Sequence, residues 1–271
     1  KGVAAAAWHS RSRRLAVAEG AERVQIYDLE QACSHGDLKG VEGSAAITLQ
    51  HELQQGVTGL VWRPGMGQGL AVACAEGVCL WSVGSRPVLQ NNTAIGRATE
   101  LSRLSASLSF LRTGAPVVSM SWSPDGRLLA TLCRQEGKLQ VWDVARGTSM
   151  PLRPGLLQAP FAFLRWSPAG NFLLAATAGK KFYLWETEQW TSVEWTCPGP
   201  LRDAAWGPGD RFVLVAMGGP QGRLAVLQLS QPPPSLAMHV TELELPGVQP
   251  GRSKPKRSAA GGGGMPPHVV G

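Results

Sequence analysis

The stretch SWSPDGRLLATLCRQEGKLQVWD, at residues 121–143, decides the fold of this chain. It holds two tryptophans 20 positions apart, and a Pro-Asp-Gly turn and two short apolar runs lie between them. Such a stretch is either a single local hairpin or one copy of a unit that recurs along the chain. A recurrence at a regular period would determine the whole architecture, so the other segments of the sequence settle the question.

The stretch is one of five copies of a repeat. The other copies are AWHSRSRRLAVAEGAERVQIYD (7–28), VWRPGMGQGLAVACAEGVCLWS (61–82), RWSPAGNFLLAATAGKKFYLWE (165–186) and AWGPGDRFVLVAMGGPQGRLAVLQ (205–228). Each copy begins with a tryptophan, here called the leading tryptophan, and these are Trp8, Trp62, Trp122, Trp166 and Trp206. A second aromatic residue follows 19 or 20 positions later as Tyr27, Trp81, Trp142 and Trp185, and Leu227 replaces it in the fifth copy. Chance does not keep this phase through five copies.

Each copy has the pattern of three short β-strands. An apolar run ends at the leading tryptophan, a turn rich in Pro, Gly, Ser and Asp follows, and two further apolar runs come before the position of the second aromatic residue. Apolar runs of about 4–8 residues bounded by turn residues indicate strands rather than helices. A fourth strand for each copy is predicted at 44–50, 107–113, 148–152, 190–195 and 239–245.

Four short antiparallel strands that recur about every 40–45 residues are typical of a WD40-type β-propeller. We therefore predict an all-β fold with five four-stranded blades in one propeller domain, at residues 1–245. The innermost strand of each blade would line the central channel, and the fourth would lie on the outer rim. The predicted blades span about 3–50, 56–113, 116–152, 160–195 and 199–245.

Two segments depart from the repeat. Residues 86–107 form an insertion in the second blade, which we predict to be disordered, although loops of this length are also often functional. Residues 246–271 are rich in Pro, Gly and basic side chains and are predicted to form a flexible tail. The basic cluster of this tail is explained most simply as solubilising, and the alternative is a nuclear-localisation or acidic-surface motif. The cluster consists of Arg252, Lys254, Lys256 and Arg257.

Composition excludes several classes of protein. The chain has 271 residues, 44% of them hydrophobic and 17% charged, and its formal net charge is +7. No apolar run approaches the roughly 18–20 residues that a membrane-spanning helix needs. The five cysteines lack metal-ligand or disulfide spacing, and Cys74 and Cys79 stand in apolar runs. We expect buried free thiols and a reducing compartment.

No catalytic constellation can be assembled from the sequence. The five histidines, His9, His35, His51, His239 and His268, are scattered without metal-ligand spacing. The glycine run at 261–264 lies in the predicted tail, outside the strand and helix context of a phosphate loop. We therefore predict a non-enzymatic binding scaffold without catalytic residues, metal or cofactor, and fold alone does not name the partners of such a scaffold.

The WD40 repeats in this chain are degenerate. WD40 blades often contain a hydrogen-bonded set of polar side chains, and its Trp-Asp dipeptide is intact here only at Trp142 and Asp143. Tyr27-Asp28 and Trp185-Glu186 are near copies. We therefore expect the packing of apolar faces between blades to contribute most of the stability.

The order of the blades resembles the Aladin family of WD-repeat nucleoporins. The resemblance covers roughly residues 3–245 and is carried by short motifs: AWHS, LAVA and VQIY in the first blade, LAVACAEGVCLW in the second, and SWSPDGRLLA and VWDVARGTSMPL in the third. In the fourth, FLRWSPAGNFLLAAT is followed by FYLWETEQWTSVEWTCPG, which holds the tryptophan pair Trp190 and Trp195. General WD40 proteins do not share that pair at that spacing.

The resemblance implies a structural nucleoporin of the nuclear pore complex, located at the nuclear envelope. Such a protein would bind other nucleoporins, including a membrane-embedded one, and support the transport of protein and RNA, without contacting nucleic acid directly or inserting into the membrane. The alternative is a generic WD40 adaptor, such as a substrate receptor of a ubiquitin ligase. Trp190 and Trp195 are the candidate partner-binding residues, and packing within the rim strand is the other explanation for them.

The resemblance also implies an incomplete ring. Family members have seven blades, whereas five are recognisable here, so we expect an open arc rather than a closed five-bladed propeller. An open arc would expose apolar residues of the first and fifth blades, for which we expect Leu15, Val17, Val213 and Val215.

Overall fold

The computed structural model describes residues 2–28, 47–65, 68–86, 103–134, 138–153, 160–218, 223–229 and 239–243. The insertion predicted at residues 86–107 therefore lies largely outside the described residues. The tail predicted at residues 246–271 lies wholly outside them. Twenty β-strands occur in the described part, together with one turn of 3-10 helix at Pro208–Asp210. The strands are β1 Val3–Trp8, β2 Arg14–Glu19, β3 Arg23–Asp28, β4 Ile47–Leu49, β5 Gly59–Trp62, β6 Gly69–Ala73, β7 Gly77–Arg86, β8 Arg103–Arg112, β9 Val117–Trp122, β10 Leu128–Cys133, β11 Leu139–Asp143, β12 Thr148–Leu152, β13 Phe161–Trp166, β14 Phe172–Thr177, β15 Lys181–Glu186, β16 Ser192–Thr196, β17 Leu201–Trp206, β18 Phe212–Met217, β19 Arg223–Gln228 and β20 His239–Leu243.

The strands form five four-stranded antiparallel sheets. Each sheet takes four consecutive strands in simple up-and-down order, from β1–β4 in blade one to β17–β20 in blade five. Every leading tryptophan is the last residue of the first strand of its blade. The all-β fold of propeller blades predicted from the repeat is therefore confirmed.

Ser, Pro, Asp and Gly recur after the leading tryptophans because these residues form the turn between the first and second strands of a blade. In blade three the Ser123 hydroxyl accepts a hydrogen bond from the Leu128 amide at 2.9 Å, and Asp125 accepts one from the Arg127 amide at 2.9 Å. Gly126 adopts a φ of 69°, a conformation that glycine adopts without steric cost. These local bonds reverse the chain and pair Trp122 with Leu129 in the register between β9 and β10.

Four apolar clusters lie between successive blades and form the core. In blade two, Trp62, Leu70 and Trp81 pack against blade one, whereas Ala71 and Leu80 pack against blade three. The alternation arises because neighbouring residues of a strand point to opposite faces of the sheet. We call the side turned to the earlier blade the preceding face and the other side the following face. A blade with neighbours on both sides is therefore apolar on both faces.

Two predicted outer strands differ from the structure. β7 and β8 pair from Gly77 with Arg112 to Arg86 with Arg103, so the second hairpin is longer than the apolar runs indicated. Polar and small residues continue this ladder because backbone pairing does not require apolar side chains. In blade four the outer strand begins at Ser192, so Trp190 lies in the preceding turn rather than in the strand. Its φ of 56° is incompatible with the extended conformation of a strand.

Successive blades contact each other through their innermost strands, β1 with β5, β5 with β9, β9 with β13 and β13 with β17. Among the strands that the structure describes, no contact of that extent joins β17 back to β1. The preceding face of blade one is open, and the Trp8 side chain on it is 63% exposed. Trp8 is thus the leading tryptophan that none of the described blades covers.

The open face of blade five consists of other residues than the sequence predicted. Val213 and Val215 are buried against blade four, so their predicted exposure is wrong. Phe212 and Leu214, their neighbours in β18, are 39% and 37% exposed. Every residue of the strand FVLVAM is apolar, so the sequence does not show which of them point inward. The pairing of Val213 with Trp206 shows it.

Candidate functional site

The candidate residue Trp190 lies in the turn between β15 and β16 at the outer part of blade four. Its side chain is half-buried and packs against the cluster between blades three and four. The ring meets Trp166 edge to face, with centroids 6.0 Å apart and an interplanar angle of 87°. Part of Trp190 therefore supports the leading tryptophan of its own blade, and the exposed part is available to a partner.

The candidate residue Trp195 lies within β16 and pairs with Phe182 of β15. Its half-buried ring packs against the cluster between blades four and five. The indole Nε1 is buried and has no hydrogen-bond partner in the described part of the chain. Val193, on the same face of β16, is 39% exposed. This side of the rim thus presents an apolar strip between blades four and five.

The two tryptophans belong to opposite faces of blade four. Trp190 contacts the blade-three side and Trp195 the blade-five side, so the structure does not bring them together as one aromatic patch. Each tryptophan packs against a cluster between blades, and each is also partly exposed. Their partner-binding role stays a prediction.

A polar group lies on the face of blade four that faces away from Trp195. The Tyr183 hydroxyl donates to the Glu194 carboxylate at 2.6 Å, and the Lys181 ammonium donates to the other oxygen of that carboxylate at 2.6 Å. Hydrogen bonds from Lys181 and Tyr183 lower the pKa of Glu194. Burial, with the bond to Glu194, raises the pKa of Tyr183 to about 12. The group is therefore a neutral phenol bonded to an ion pair at physiological pH.

Two of the tryptophans at the second aromatic position donate to polar side chains that the sequence did not reveal. The Trp142 indole donates to the Thr131 hydroxyl at 3.0 Å within blade three. The Trp81 indole donates to Gln54 Oε1 at 2.7 Å, and Gln54 in turn donates to the carbonyl oxygens of Glu22 and Leu49 in blade one. Gln54 is fully buried. A glutamine shortly before the first strand of blade two thus joins two blades, although the expected Trp-Asp motif is degenerate.

Asp210 is a second polar residue that connects two blades, and the repeat pattern did not reveal this role. Its carboxylate lies in the turn of blade five, is 2% exposed, and accepts hydrogen bonds from the turn of blade four. The donors are the Ser167 hydroxyl at 2.8 Å, the Ala169 amide at 2.8 Å and the Asn171 amide at 3.3 Å. The sequence signal was the acidic residue of the Gly-Pro-Gly-Asp turn, which looked like an ordinary turn residue.

The described cysteines behave as small apolar residues. Cys74, Cys79, Cys133 and Cys197 are buried free thiols, as expected from their apolar surroundings. Burial raises the pKa of Cys133, and it raises the pKa of Cys197 to about 11. In the part of the chain covered by the structure, no group of three or more His, Cys, Asp and Glu could hold a metal ion. The same part of the chain contains no helix long and apolar enough to cross a membrane.

Comparison with known proteins identifies the repeat. The family model described as "WD domain, G-beta repeat" matches residues 106–143. Aladin of Arabidopsis thaliana is 32% identical over 253 residues, which are 89% of this chain and 54% of Aladin. The chain contains a WD repeat, and it is similar to Aladin. It spans about half the length of that relative.

The WD-repeat protein also matches other chains more weakly. Protein HIR1 of Cryptococcus neoformans var. neoformans is 28% identical over 127 residues, covering 42% of this chain and 14% of HIR1. A chain in the crystal structure of the mitotic checkpoint complex has a TM-score of 0.59 at 20% identity, covering 84% of this chain and 61% of that one. The Cps50 (Swd1) β-propeller domain of Myceliophteria thermophila has a TM-score of 0.59 at 14% identity, covering 91% and 74%. At these identities the solved structures support the propeller fold alone.

The matched WD repeat does not coincide with a blade. Residues 106–143 begin inside β8, the outer strand of blade two, and continue through β9, β10 and β11 of blade three. One sequence repeat of this WD-repeat protein therefore contributes to two neighbouring sheets.

Proposed function

We propose that the chain is a structural nucleoporin that acts as a non-enzymatic scaffold of the nuclear pore complex. The observation that carries the proposal is the 32% identity to Aladin over 89% of this chain, a range far longer than the single WD repeat matched by the family model. A general WD40 likeness would favour no particular assembly. Because the identity to Aladin extends along most of the chain, it favours a nucleoporin over an unspecified WD40 adaptor.

The buried hydrogen bonds between the blades support a scaffold role. The buried polar groups at Gln54 and Asp210 join blades to each other, and these interactions make a rigid support for partners. We propose that other nucleoporins, including one embedded in the nuclear membrane, bind this support. The chain itself would thereby lie at the nuclear envelope and assist the transport of protein and RNA.

Proximity labelling of the tagged chain in cells tests the proposal. We expect labelled pore components, among them a membrane-embedded nucleoporin, and a fluorescent rim at the nuclear envelope. Recovery of cullin-type ubiquitin-ligase subunits without pore components would instead support the generic adaptor and contradict the proposal.

The two rim tryptophans provide matched variants for the same experiment. Trp190→Ala changes the blade-three side of blade four, and Trp195→Ala changes its blade-five side. We expect one of the two to reduce the labelling of a pore component severalfold while the folded state of both is retained in circular dichroism. Unchanged labelling in both variants would remove the rim pair as a partner site but would leave the pore location intact.

A further inference from the structure

A cavity of about 250 Å³ lies between blades two and three, beside the turn that follows Trp62. Its walls include Arg63, Leu80, Ser82, Ser109 and Trp122. Leu80 and Trp122 supply apolar surface, and the exposed Ser82 and Ser109 supply hydroxyl groups. The volume suits one amino-acid side chain or chain end rather than a larger molecule.

The indole N–H of Trp122 is unusual among the leading tryptophans. The Trp62 indole donates to the Ala7 carbonyl at 2.9 Å, and the Trp206 indole donates to the Arg165 carbonyl at 3.1 Å. Each acceptor is the residue before the leading tryptophan of the preceding blade. Trp122 is 8% exposed, yet its Nε1 has no acceptor among the described residues. A buried donor without an acceptor destabilises the free protein. The nitrogen is closed off from solvent, so an entering acceptor would bond it after a small shift of the cavity wall.

Arg63 places positive charge at the same cavity. Its Cζ lies 5.5 Å from the centroid of the Trp122 ring, and its Nε donates to the Gly126 carbonyl at 2.6 Å. The two terminal nitrogens of the guanidinium have no carboxylate partner in the regions that the structure describes. None of the residues that form the cavity wall is acidic. The site therefore offers a cation and hydrogen-bond donors without their own counter-ion.

We propose that this cavity binds the carboxylate group of a peptide, with an adjoining aliphatic side chain against Leu80. The guanidinium of Arg63 would hold the carboxylate through its two terminal nitrogens, a geometry that matches the two carboxylate oxygens. The Trp122 indole would donate to the same group. An acidic side chain and a peptide C-terminus share this chemistry. The proposal rests on the cavity alone and is independent of the proposed location at the nuclear pore.

Titration of the full chain with short peptides, observed at the ¹⁵N-labelled indoles, tests the proposal. One peptide holds a glutamate beside a leucine and is blocked at both ends, and a second holds only a free C-terminal leucine carboxylate. A third replaces the glutamate by glutamine and is blocked at both ends. We expect a saturable shift of the Trp122 indole resonance with at least one of the first two peptides and none with the third. The responding peptide identifies the source of the carboxylate.

Matched substitutions distinguish binding from general structural effects. Trp122→Phe keeps an aromatic ring but removes the unpaired donor, and we expect about tenfold weaker peptide binding, measured by calorimetry. Trp62→Phe removes a paired donor at a site that is also 8% exposed, so it should lower the melting temperature more than Trp122→Phe and leave peptide binding unchanged.

Arg63 has a matched control in Arg127. Arg63→Gln should weaken binding about tenfold, whereas Arg127→Gln removes the same charge from an exposed position outside the cavity wall and should change it less than about twofold. Equal binding by all variants, or no indole shift at millimolar peptide, would overturn the proposal.

Discussion

At the scale of single residues, burial separates tryptophans that look alike in the sequence. Trp122 is 8% exposed and lies in the cluster between blades two and three, whereas Trp190 and Trp195 are half-buried at the rim. We expect Trp122→Ala to lower the free energy of unfolding by about 3–5 kcal/mol. Trp190→Ala and Trp195→Ala should each cost about 1–2 kcal/mol, because each ring keeps some packing against a cluster.

Urea unfolding of the three variants, followed by circular dichroism, measures these losses. Of the two rim variants, Trp190→Ala is expected to lose more unfolding free energy, because it also loses the edge-to-face contact with Trp166. Equal losses in all three would place the rim pair in the core and remove the basis for a partner-facing role.

At the scale of elements, Asp210 holds the turns of blades four and five together. Asp210→Asn retains one acceptor oxygen and tolerates the φ of 57° at this position, so the substitution tests hydrogen bonding without added backbone strain. It loses the charge and replaces the other oxygen by a donor facing the N–H and O–H groups of blade four. We expect a loss of about 1–3 kcal/mol in unfolding free energy. Thermal and urea unfolding measure it.

Asp203→Asn is the matched control for this element. Asp203 also forms an inter-blade bond, to Arg165, but its side chain is 62% exposed. Exposed ion pairs contribute about 0–1 kcal/mol, so this variant should be nearly as stable as the parent chain. A loss equal to that of Asp210→Asn would show that burial does not distinguish the two joints.

At the scale of the whole molecule, the two end faces expose apolar surface. Blade one presents Trp8, and blade five presents Phe212 and Leu214, which in the inner blades would be covered by a neighbour. We therefore expect the purified chain to self-associate or to bind a hydrophobic dye. The double change Phe212→Lys and Leu214→Lys should reduce dye fluorescence about twofold, measured beside light scattering.

Ala162→Lys serves as the control, because this alanine is exposed in blade four, away from both end faces. It adds charge without covering or removing the apolar surface of blade five, so dye binding should persist. A monodisperse monomer of the parent chain without dye binding would contradict the open arc and favour a closed ring of five blades.

The sequence by itself determined the architecture of this protein, because period and phase are properties of the chain. A leading tryptophan at the end of one strand and an aromatic residue 19 or 20 positions later define a blade wherever they recur. The outer strands were predicted less well. Rim strands bury little, as β16 and the exposed Ser107 and Ser109 of β8 show, so no apolar pattern marks their ends.

Only the tertiary structure decided which residues of a strand point inward and which polar groups join the blades. Val213 and Phe212 are both apolar, and the sheet register alone assigns one to the core and the other to the open face. Gln54 bonds Glu22 and Trp81, and Asp210 bonds Ser167, each more than 25 positions away in the sequence, and only folding brings these groups together. The physical reason is the same in each case. A local pattern specifies the strand, whereas the contacts between sheets depend on how the strands are stacked.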